Sequence, residues 1–131
     1  MPYAELKINP MPTPEQAASL ARGITDALVE ETGKRREVTA AHITGSEARL
    51  WTIGSVPSDK TTAYLEIKIT QETNSQDEKA SLIVRLHQLL VATFGELEEA
   101  SYIVIHELPA QNWGYAGLTQ ASRAQQQGAY A

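Results

Sequence analysis

The chain has 131 residues, of which 42% are hydrophobic and 21% charged, and its net charge is −5. This length suits one domain with a core of ordinary size. The acidic balance argues against sequence-independent binding to nucleic acids, because such binding requires a basic surface. The absence of cysteine excludes disulfides and thiolate metal sites. No apolar run has the length of a signal peptide or a spanning helix, so we expect a cytoplasmic protein without a membrane partner.

The chain begins with Met1 and Pro2 and then enters a predicted strand, which starts at Tyr3. If Met1 is removed, Pro2 presents a secondary amine that the strand holds at the edge of a sheet, where it could act as a base at neutral pH. If Met1 is retained, the nitrogen of Pro2 is an amide and has no basic lone pair. Proline makes up about 5% of residues on average, so an arbitrary second residue is the alternative interpretation.

The first half of the chain reads as strand, helix, strand and turn. A capping box with proline at the first helical position, Thr13-Pro14-Glu15-Gln16, predicts the start of a helix, and Gly33 predicts its end. A second strand is predicted over residues 38–44, followed by a turn that begins at Trp51. The polar run 55–60 is predicted to be a linker.

The same features recur in the second half, which indicates an internal repeat. The strand sequence Glu5-Leu6-Lys7-Ile8 matches Glu66-Ile67-Lys68-Ile69, and a second capping box begins at Ser75. Gly95, a strand over 102–107 and Trp113 follow. The offset between halves is 61 residues at the first strands and 62 from the capping boxes to the tryptophans. The sequence therefore predicts a single domain of two β-α-β units, residues 2–55 and 62–123, with a frayed polar tail at 124–131.

Two such units predict an α/β fold in which a four-stranded mixed sheet carries two helices on one face. We expect the helix-covered face to be apolar and the other face to be half apolar and uncovered. Such a face favours burial against copies of the same chain, so we expect a closed oligomer. The residues expected on the covered face are Ile67, Ile69, Ile103 and Ile105, and those expected on the uncovered face are Leu65, Tyr102 and Val104 among polar neighbours.

The start at Pro2, the β-α-β pattern and the turn Trp113-Gly114-Tyr115-Ala116-Gly117 together resemble the tautomerase superfamily over roughly residues 2–123. This superfamily includes 4-oxalocrotonate tautomerase, malonate semialdehyde decarboxylase, cis-3-chloroacrylic acid dehalogenase and macrophage migration inhibitory factor. The resemblance implies a fused two-unit member that forms a homotrimer and needs no cofactor. It also implies that Pro2 is the catalytic base in a keto–enol tautomerisation of a small carbonyl or enol substrate.

Such a reaction needs a base with a pKa near neutrality and positive charge for a carboxylate or an enolate oxygen. Burial in an apolar pocket lowers the pKa of an amine, which would suit Pro2. The arginines of the family fall at positions that are not basic in this chain. This departure puts dicarboxylate substrates and decarboxylation in doubt. The positions concerned are Pro12, Ala40, Glu72, Thr73, Asn74 and Tyr102.

The remaining candidates for substrate binding are basic or aromatic residues near the expected pocket. Each has a structural alternative: packing at a subunit contact for the aromatic residues, a helix C-terminal charge for Arg36, and a structural strand residue for His42. His87 and His106 have no partner at metal-ligand spacing, so we expect no metal site. Two other functions remain open, a lyase that uses protonated Pro2 and a non-catalytic trimer. The candidates are Arg49, Trp113, Tyr102, Trp51, His42, Tyr3 and Arg36.

Overall fold

The structure, a computed structural model, describes residues 1–127. The strands in this part of the chain are β1 (Tyr3–Asn9), β2 (Ala40–Gly45), β3 (Thr52–Ile53), β4 (Val56–Pro57), β5 (Thr62–Thr70), β6 (Tyr102–Leu108), β7 (Gly114–Tyr115) and β8 (Leu118–Thr119). The helices are α1 (Pro14–Thr32), α2 (Gln76–Phe94) and α3 (Gln120–Gln127), with short 3-10 helices at Arg36–Val38 and Ala48–Leu50.

The four long strands form one sheet in the order β2-β1-β5-β6. β1 pairs parallel with β2, β5 pairs parallel with β6, and β1 pairs antiparallel with β5. The predicted α/β fold with a four-stranded mixed sheet is therefore confirmed. Each parallel pair is joined by a helix, as β-α-β connections require. Both β1 and β5 are inner strands of the sheet. Pro2 therefore lies at the end of an inner strand, and the predicted position at the edge of the sheet is wrong.

The hydrophobic core lies between the sheet and the helices α1 and α2. Alternate side chains of β1 and β5 point into it because successive residues of a strand face opposite sides. Leu65 belongs to this set and is fully buried, so its expected place on the uncovered face was wrong. The alternation that places Ile67 in the core also places Leu65 there. The central core residues are Leu6, Ile8, Leu65, Ile67 and Ile69 from the sheet, with Leu20, Ile24, Leu28, Leu82, Leu86 and Leu90 from the helices.

Both predicted capping boxes are present. The Thr13 side chain accepts a hydrogen bond from the Gln16 backbone N–H at 3.1 Å, and the Gln16 side chain accepts one from the Thr13 N–H at 2.9 Å. Ser75 and Glu78 exchange the corresponding bonds at 3.1 and 2.8 Å. These reciprocal bonds satisfy backbone donors that the first turn of a helix leaves free.

Each long β-α-β segment is followed by a tight hairpin. β3 pairs with β4 across Gly54 and Ser55, and β7 pairs with β8 across Ala116 and Gly117. All four turn residues have positive φ, as type I′ turns require. The first hairpin extends into residues 56–57, which the sequence assigned to a linker. Residues 124–127, predicted to belong to a frayed tail, form the end of α3, and residues 128–131 lie outside the described residues.

Candidate active site

Pro2 is buried at the start of β1. Its carbonyl oxygen accepts a hydrogen bond from the backbone N–H of Ala40 at 3.2 Å. The next pair in register is Tyr3 with Ala40 on β2, and Tyr3 also lies opposite Lys68 on β5. The beginning of the chain is thus fixed between two neighbouring strands, which gives Pro2 a defined position.

A cavity of about 420 Å³ opens beside Pro2. Its walls are mainly apolar, and they combine the start of the chain with the strand that follows α1 and the hairpin that follows β6. Pro2 belongs to the first half of the chain, and the second half therefore supplies part of the cavity wall around it. The lining residues are Met1, Pro2, Tyr3, Val38, Ala40, Lys68, Trp113 and Tyr115.

Trp113 is held in this wall by hydrogen bonds at both its side chain and its backbone. Its indole Nε1–H donates to Thr70 Oγ1 at 3.3 Å, and its carbonyl accepts from the Gln120 N–H at 3.0 Å. A Cβ atom at Gly114 would overlap the carbonyl oxygen of Leu118, so the residue after Trp113 must be glycine for the hairpin to close. The Trp-Gly pair in the sequence thus fixes the indole against the end of β5.

Tyr115 is supported from behind by α3. The guanidinium carbon of Arg123 lies 3.8 Å from the centroid of the Tyr115 ring, and Arg123 Nη2 donates to the Tyr115 carbonyl oxygen at 2.8 Å. The first contact has cation–π geometry. Helix α3, whose last residues were predicted to belong to a frayed tail, therefore supports one wall of the cavity.

The amine at the start of the chain lies in an environment that disfavours its charged form. Burial, followed by the positive charges of Lys34 and Arg35, lowers the pKa of the Met1 α-amine from 8.0 to about 5. In this structure the amine belongs to Met1; in a chain without Met1 it would belong to Pro2, one residue further into the protein. An amine with such a pKa is neutral at pH 7 and can accept a proton.

Lys34 is the larger of the two charged contributions to this lowered pKa and is 5% exposed. It follows Gly33, whose left-handed backbone ends α1 and turns the chain inward. Its Nζ donates to Thr73 Oγ1 at 2.6 Å. Burial lowers the pKa of Lys34 itself, and the charge of Glu78 opposes this effect.

The structure brings together three of the predicted site residues, Pro2, Tyr3 and Trp113. It adds Lys68 and Tyr115 to the cavity wall, and Lys34 through the effect of its charge on the terminal amine; none of these three was among the predicted site residues. Lys34 and Tyr115 had a local signal, since one directly follows a helix-ending glycine and the other lies in the Trp-Gly turn. Lys68 comes to Pro2 only through the antiparallel pairing of β1 with β5, which no local pattern reveals.

The other predicted residues lie away from Pro2 within one chain. Arg49 is exposed and pairs with Glu47 at 2.7 Å, and Arg36 pairs with Asp26 at 2.6 Å. His42 lies on the uncovered face of the sheet, with Nδ1 3.7 Å from Glu5 Oε1. Trp51 and Tyr102 line a different cavity of about 430 Å³. They do not form a common wall with Trp113 in a single chain.

Most residues that line this second cavity stand 61 or 62 positions from residues that line the Pro2 cavity, namely Trp51, Ile53, Tyr64, Ala100 and Tyr102. Trp51 takes the position of Trp113, and the bulky Tyr102 takes the position of Ala40. Ala63 stands where Pro2 does, but it lies within the chain and offers only an amide nitrogen. Of the two cavities, only the one beside Pro2 has a nitrogen that can become a free amine.

Two structural features bear on metals and membranes. Among residues 1–127, no group of three or more His, Cys, Asp or Glu side chains is placed to hold a metal ion. In the same part of the chain, no helix is both long enough and apolar enough to cross a membrane.

Comparison with known proteins gives consistent matches in sequence and fold. The Tautomerase family, described as tautomerase enzyme, matches residues 64–122. Probable tautomerase K2 of Dickeya dadantii is 33% identical over 63 residues, which cover 48% of this chain and 94% of that protein. The symmetric trimer of wild-type Q0 fused 4-OT matches with a TM-score of 0.83 and 21% identity over 92% of this chain and 98% of that one.

A macrophage migration inhibitory factor-like protein from Entamoeba histolytica also has the same fold, with a TM-score of 0.75 and 23% identity over 90% of this chain and 97% of that one. Below 25% identity, these two structural matches establish the fold alone. The sequence match to the Dickeya protein spans nearly all of that relative and supports a tautomerase-type function. The chain belongs to the tautomerase superfamily, as a 4-oxalocrotonate tautomerase-like member.

Proposed function

We propose that the chain, once Met1 is removed, uses the amine of Pro2 as the general base in a keto–enol tautomerisation. The observation that carries this proposal is the burial of Pro2 beside an apolar cavity of about 420 Å³, next to an amine whose pKa is lowered to about 5. A neutral secondary amine at this place is available to accept a proton at physiological pH.

In the proposed reaction, Pro2 nitrogen accepts the proton of an enol hydroxyl group. The oxygen lone pair forms the C=O bond, the electrons of the C=C bond move to the far carbon, and that carbon receives the proton from the protonated Pro2. The enzyme ends in its starting state, and no electron donor or acceptor is needed. The cavity wall that includes Trp113 and Tyr115 is apolar and offers flat surfaces to a planar substrate.

Lys34 supports this role through its charge. The positive charge of Lys34 disfavours protonation of the terminal amine, and its hydrogen bond to Thr73 keeps it in place. Burial and the charge of Lys34 act on the Met1 amine in this structure, and the same environment at the amine of Pro2 would weigh against the alternative lyase reactions, which require a protonated Pro2 at neutral pH. The base reaction is therefore favoured over hydration, dehalogenation or decarboxylation.

We also propose one active site in each chain and a trimeric assembly. At the position that corresponds to Pro2 the second half of the chain has Ala63, whose nitrogen is an amide, and Tyr102 lines the second cavity in place of Ala40, so no terminal amine is available there as a base. The sheet face opposite the helices is uncovered in one chain, and Tyr102 on it is 59% exposed. Burial of this face in a trimer agrees with the trimeric assembly of Q0 fused 4-OT.

The test compares the ketonisation of enol phenylpyruvate by three proteins: the mature chain, Pro2→Ala, and a chain with two extra residues in front of Pro2. Mass spectrometry first establishes that Met1 has been removed from the mature chain. We expect the extended chain to lose about 10²- to 10⁴-fold in kcat, because its Pro2 nitrogen is an amide. Circular dichroism checks that all three are folded. Equal rates in the mature and extended chains would remove the Pro2 amine from the mechanism, and retention of Met1 in the natural protein would favour the non-catalytic scaffold.

A further inference from the structure

A cross-strand pair of a tyrosine and a lysine occurs at both ends of the β1–β5 strand pair. Tyr3 on β1 lies opposite Lys68 on β5, and both line the Pro2 cavity. At the other end, Tyr64 on β5 lies opposite Lys7 on β1. Tyr64 and Lys7 line a separate cavity of about 640 Å³, the Lys7 cavity. The same two side-chain types therefore border a cavity that lies away from the terminal amine.

The Lys7 cavity has the size and the mixed lining of a small-molecule site. Its volume of about 640 Å³ lies within the range of roughly 300–1,000 Å³ that is usual for ligand sites. Leu50 and Trp51 form its apolar side, and the hydroxyl-bearing side chains of Thr44, Ser46 and Tyr64 also line it. Leu50 is 67% exposed, so a ligand with an apolar group would remove its surface from water.

The Lys7 cavity also contains one positive and one negative side chain. Lys7 and Glu66 both line it, and they are diagonal neighbours in the sheet because Lys7 lies opposite Tyr64. Such neighbours are about 7–8 Å apart. Within residues 1–127, Lys7 forms no ion pair. Opposite charges at this separation leave room for a ligand that carries both charges.

Glu66 keeps acceptor capacity for such a ligand. Its Oε1 lies 3.5 Å from Lys68 Nζ and 3.3 Å from His106 Nε2, and both distances are long for charge-assisted hydrogen bonds. A carboxylate has about four lone-pair sites on its two oxygens. Lys68 and His106 therefore favour the ionised form of Glu66 without occupying all of its acceptors.

We propose that the Lys7 cavity binds a small zwitterionic α-amino acid with an aromatic side chain. Lys7 binds the carboxylate of this ligand, Glu66 binds its ammonium group, and its ring packs against Trp51. A ligand with both charges gains two charge-assisted hydrogen bonds, whereas a ligand with one charge leaves one of the two side chains without a partner. The ligand is bound without reaction, and this inference does not rest on the proposed function of Pro2.

The Lys7 cavity extends to an edge of the sheet that the trimer proposal does not use. Tyr102, which the proposed trimer buries, belongs to the edge strand β6. The Lys7 cavity is lined at the opposite edge by Thr44 and Gly45 of β2 and by Ser46, which follows this strand. The proposed route of entry for the ligand is on this β2 side.

The binding test uses the full chain labelled with 5-fluorotryptophan. The chain has two tryptophans, so fluorine NMR gives one signal for Trp51 and one for Trp113, which Trp51→Phe and Trp113→Phe assign. The ligands are phenylalanine, 3-phenylpropionate, 2-phenylethylamine and alanine. We expect phenylalanine to shift the Trp51 signal with a Kd about 10- to 100-fold below those of the other three. A response of the Trp113 signal alone, no response at all, or equal Kd values for phenylalanine and any of the other three ligands would overturn the proposal.

Charge variants test the two contacts separately. Lys7→Met should weaken phenylalanine binding to about that of 2-phenylethylamine without weakening the amine itself. Glu66→Gln should weaken it to about that of 3-phenylpropionate without weakening the acid. Arg49→Met and Glu5→Gln are matched controls, because Arg49 directly precedes Leu50 and Glu5 lies opposite Glu66, but neither lines the cavity. Both controls should bind phenylalanine as the parent does.

Circular dichroism checks that the four variants are folded. If Lys7→Met and Glu66→Gln keep the preference for phenylalanine, or if they weaken all ligands alike, these side chains do not recognise the zwitterion. The chain with two extra residues in front of Pro2 should bind phenylalanine as tightly as the mature chain. If binding depends on Lys7 and Glu66 while the mature chain has no ketonisation activity, the binding inference stands and the proposed function fails.

Discussion

Lys34 donates a hydrogen bond of 2.6 Å from Nζ to Thr73 Oγ1, and the Thr73 hydroxyl donates in turn to the carbonyl oxygen of Thr70 at 2.6 Å. This chain of bonds joins the end of α1 to the loop after β5. It holds the charge of Lys34 in a position where it lowers the pKa of the terminal amine. Lys34, which follows the end of a helix as many surface cations do, therefore affects the protonation of the terminal amine.

The first prediction concerns the pH dependence of Lys34→Met. Protonation disables a base, so kcat/KM should rise with pH through the pKa of the amine and then reach a plateau. Removing the positive charge favours the protonated amine, raises its pKa, and moves the acid limb of the profile to higher pH. The shift should be partial, because burial lowers this pKa more than Lys34 does. A pH–kcat/KM profile from pH 4 to pH 9 measures it.

Arg36→Met is the control for this profile. Arg36 pairs with Asp26 at the surface and is not among the causes of the lowered amine pKa. Its acid limb should coincide with that of the parent chain. An unmoved acid limb in Lys34→Met would show that this lysine does not control the amine.

The second prediction concerns Thr70, which accepts the indole hydrogen bond of Trp113. Thr70→Val keeps the shape of the side chain and removes the acceptor, so the indole N–H is left unpaired at a cost of about 1 to 2 kcal/mol in free energy of unfolding. The indole should also lose its fixed orientation in the cavity wall, which raises KM more than it lowers kcat. Urea unfolding and steady-state kinetics measure the two effects.

Thr70→Ser retains the hydroxyl group and provides the matched comparison. It should keep KM near the parent value even if it loses some stability. Equal KM values in Thr70→Val and the parent would mean that packing alone positions Trp113.

The local features of this fold were predictable from the sequence because their causes are local. The capping bonds of Thr13 with Gln16 and of Ser75 with Glu78 join residues three apart, so the helix starts follow from short sequence patterns. The same holds for the Trp113-Gly114 turn. The burial of Leu65 also follows from the sequence, because Leu65 alternates with Ile67 and Ile69 along one strand and therefore shares their face of the sheet.

The candidate site depended on information that is not local. Lys68 reaches Pro2 through the register of two strands some sixty residues apart in sequence, and the order of strands in the sheet made β1 an inner strand. Residues chosen for their chemistry alone, such as Arg49 and Arg36, instead form surface ion pairs with Glu47 and Asp26. The duplication of the two units and the boundaries 2–55 and 62–123 stay predictions.

The third prediction tests the core that supports the site. Leu86 on α2 is fully buried among the core residues, and Leu86→Ala should lower the free energy of unfolding by about 2 to 5 kcal/mol because it leaves a cavity. Val84 on the same helix is 56% exposed, so Val84→Ala should change stability by about 0.5 kcal/mol or less. Urea denaturation of both variants measures the difference, and similar losses in the two would contradict the assigned helix orientation.

The last prediction tests the assembly. Val104 is half-buried on β6 and lies opposite Glu66, which places it on the sheet face that the helices leave uncovered. If this face is buried in a trimer, Val104→Asp introduces an unpaired charge there and should convert the trimer to smaller species. Light scattering should give three times the mass of one chain for the parent and for Val84→Asp, whose change lies on the exposed side of α2. A monomeric parent, or a Val104→Asp variant that remains a full trimer, would mean that this face is not the subunit contact.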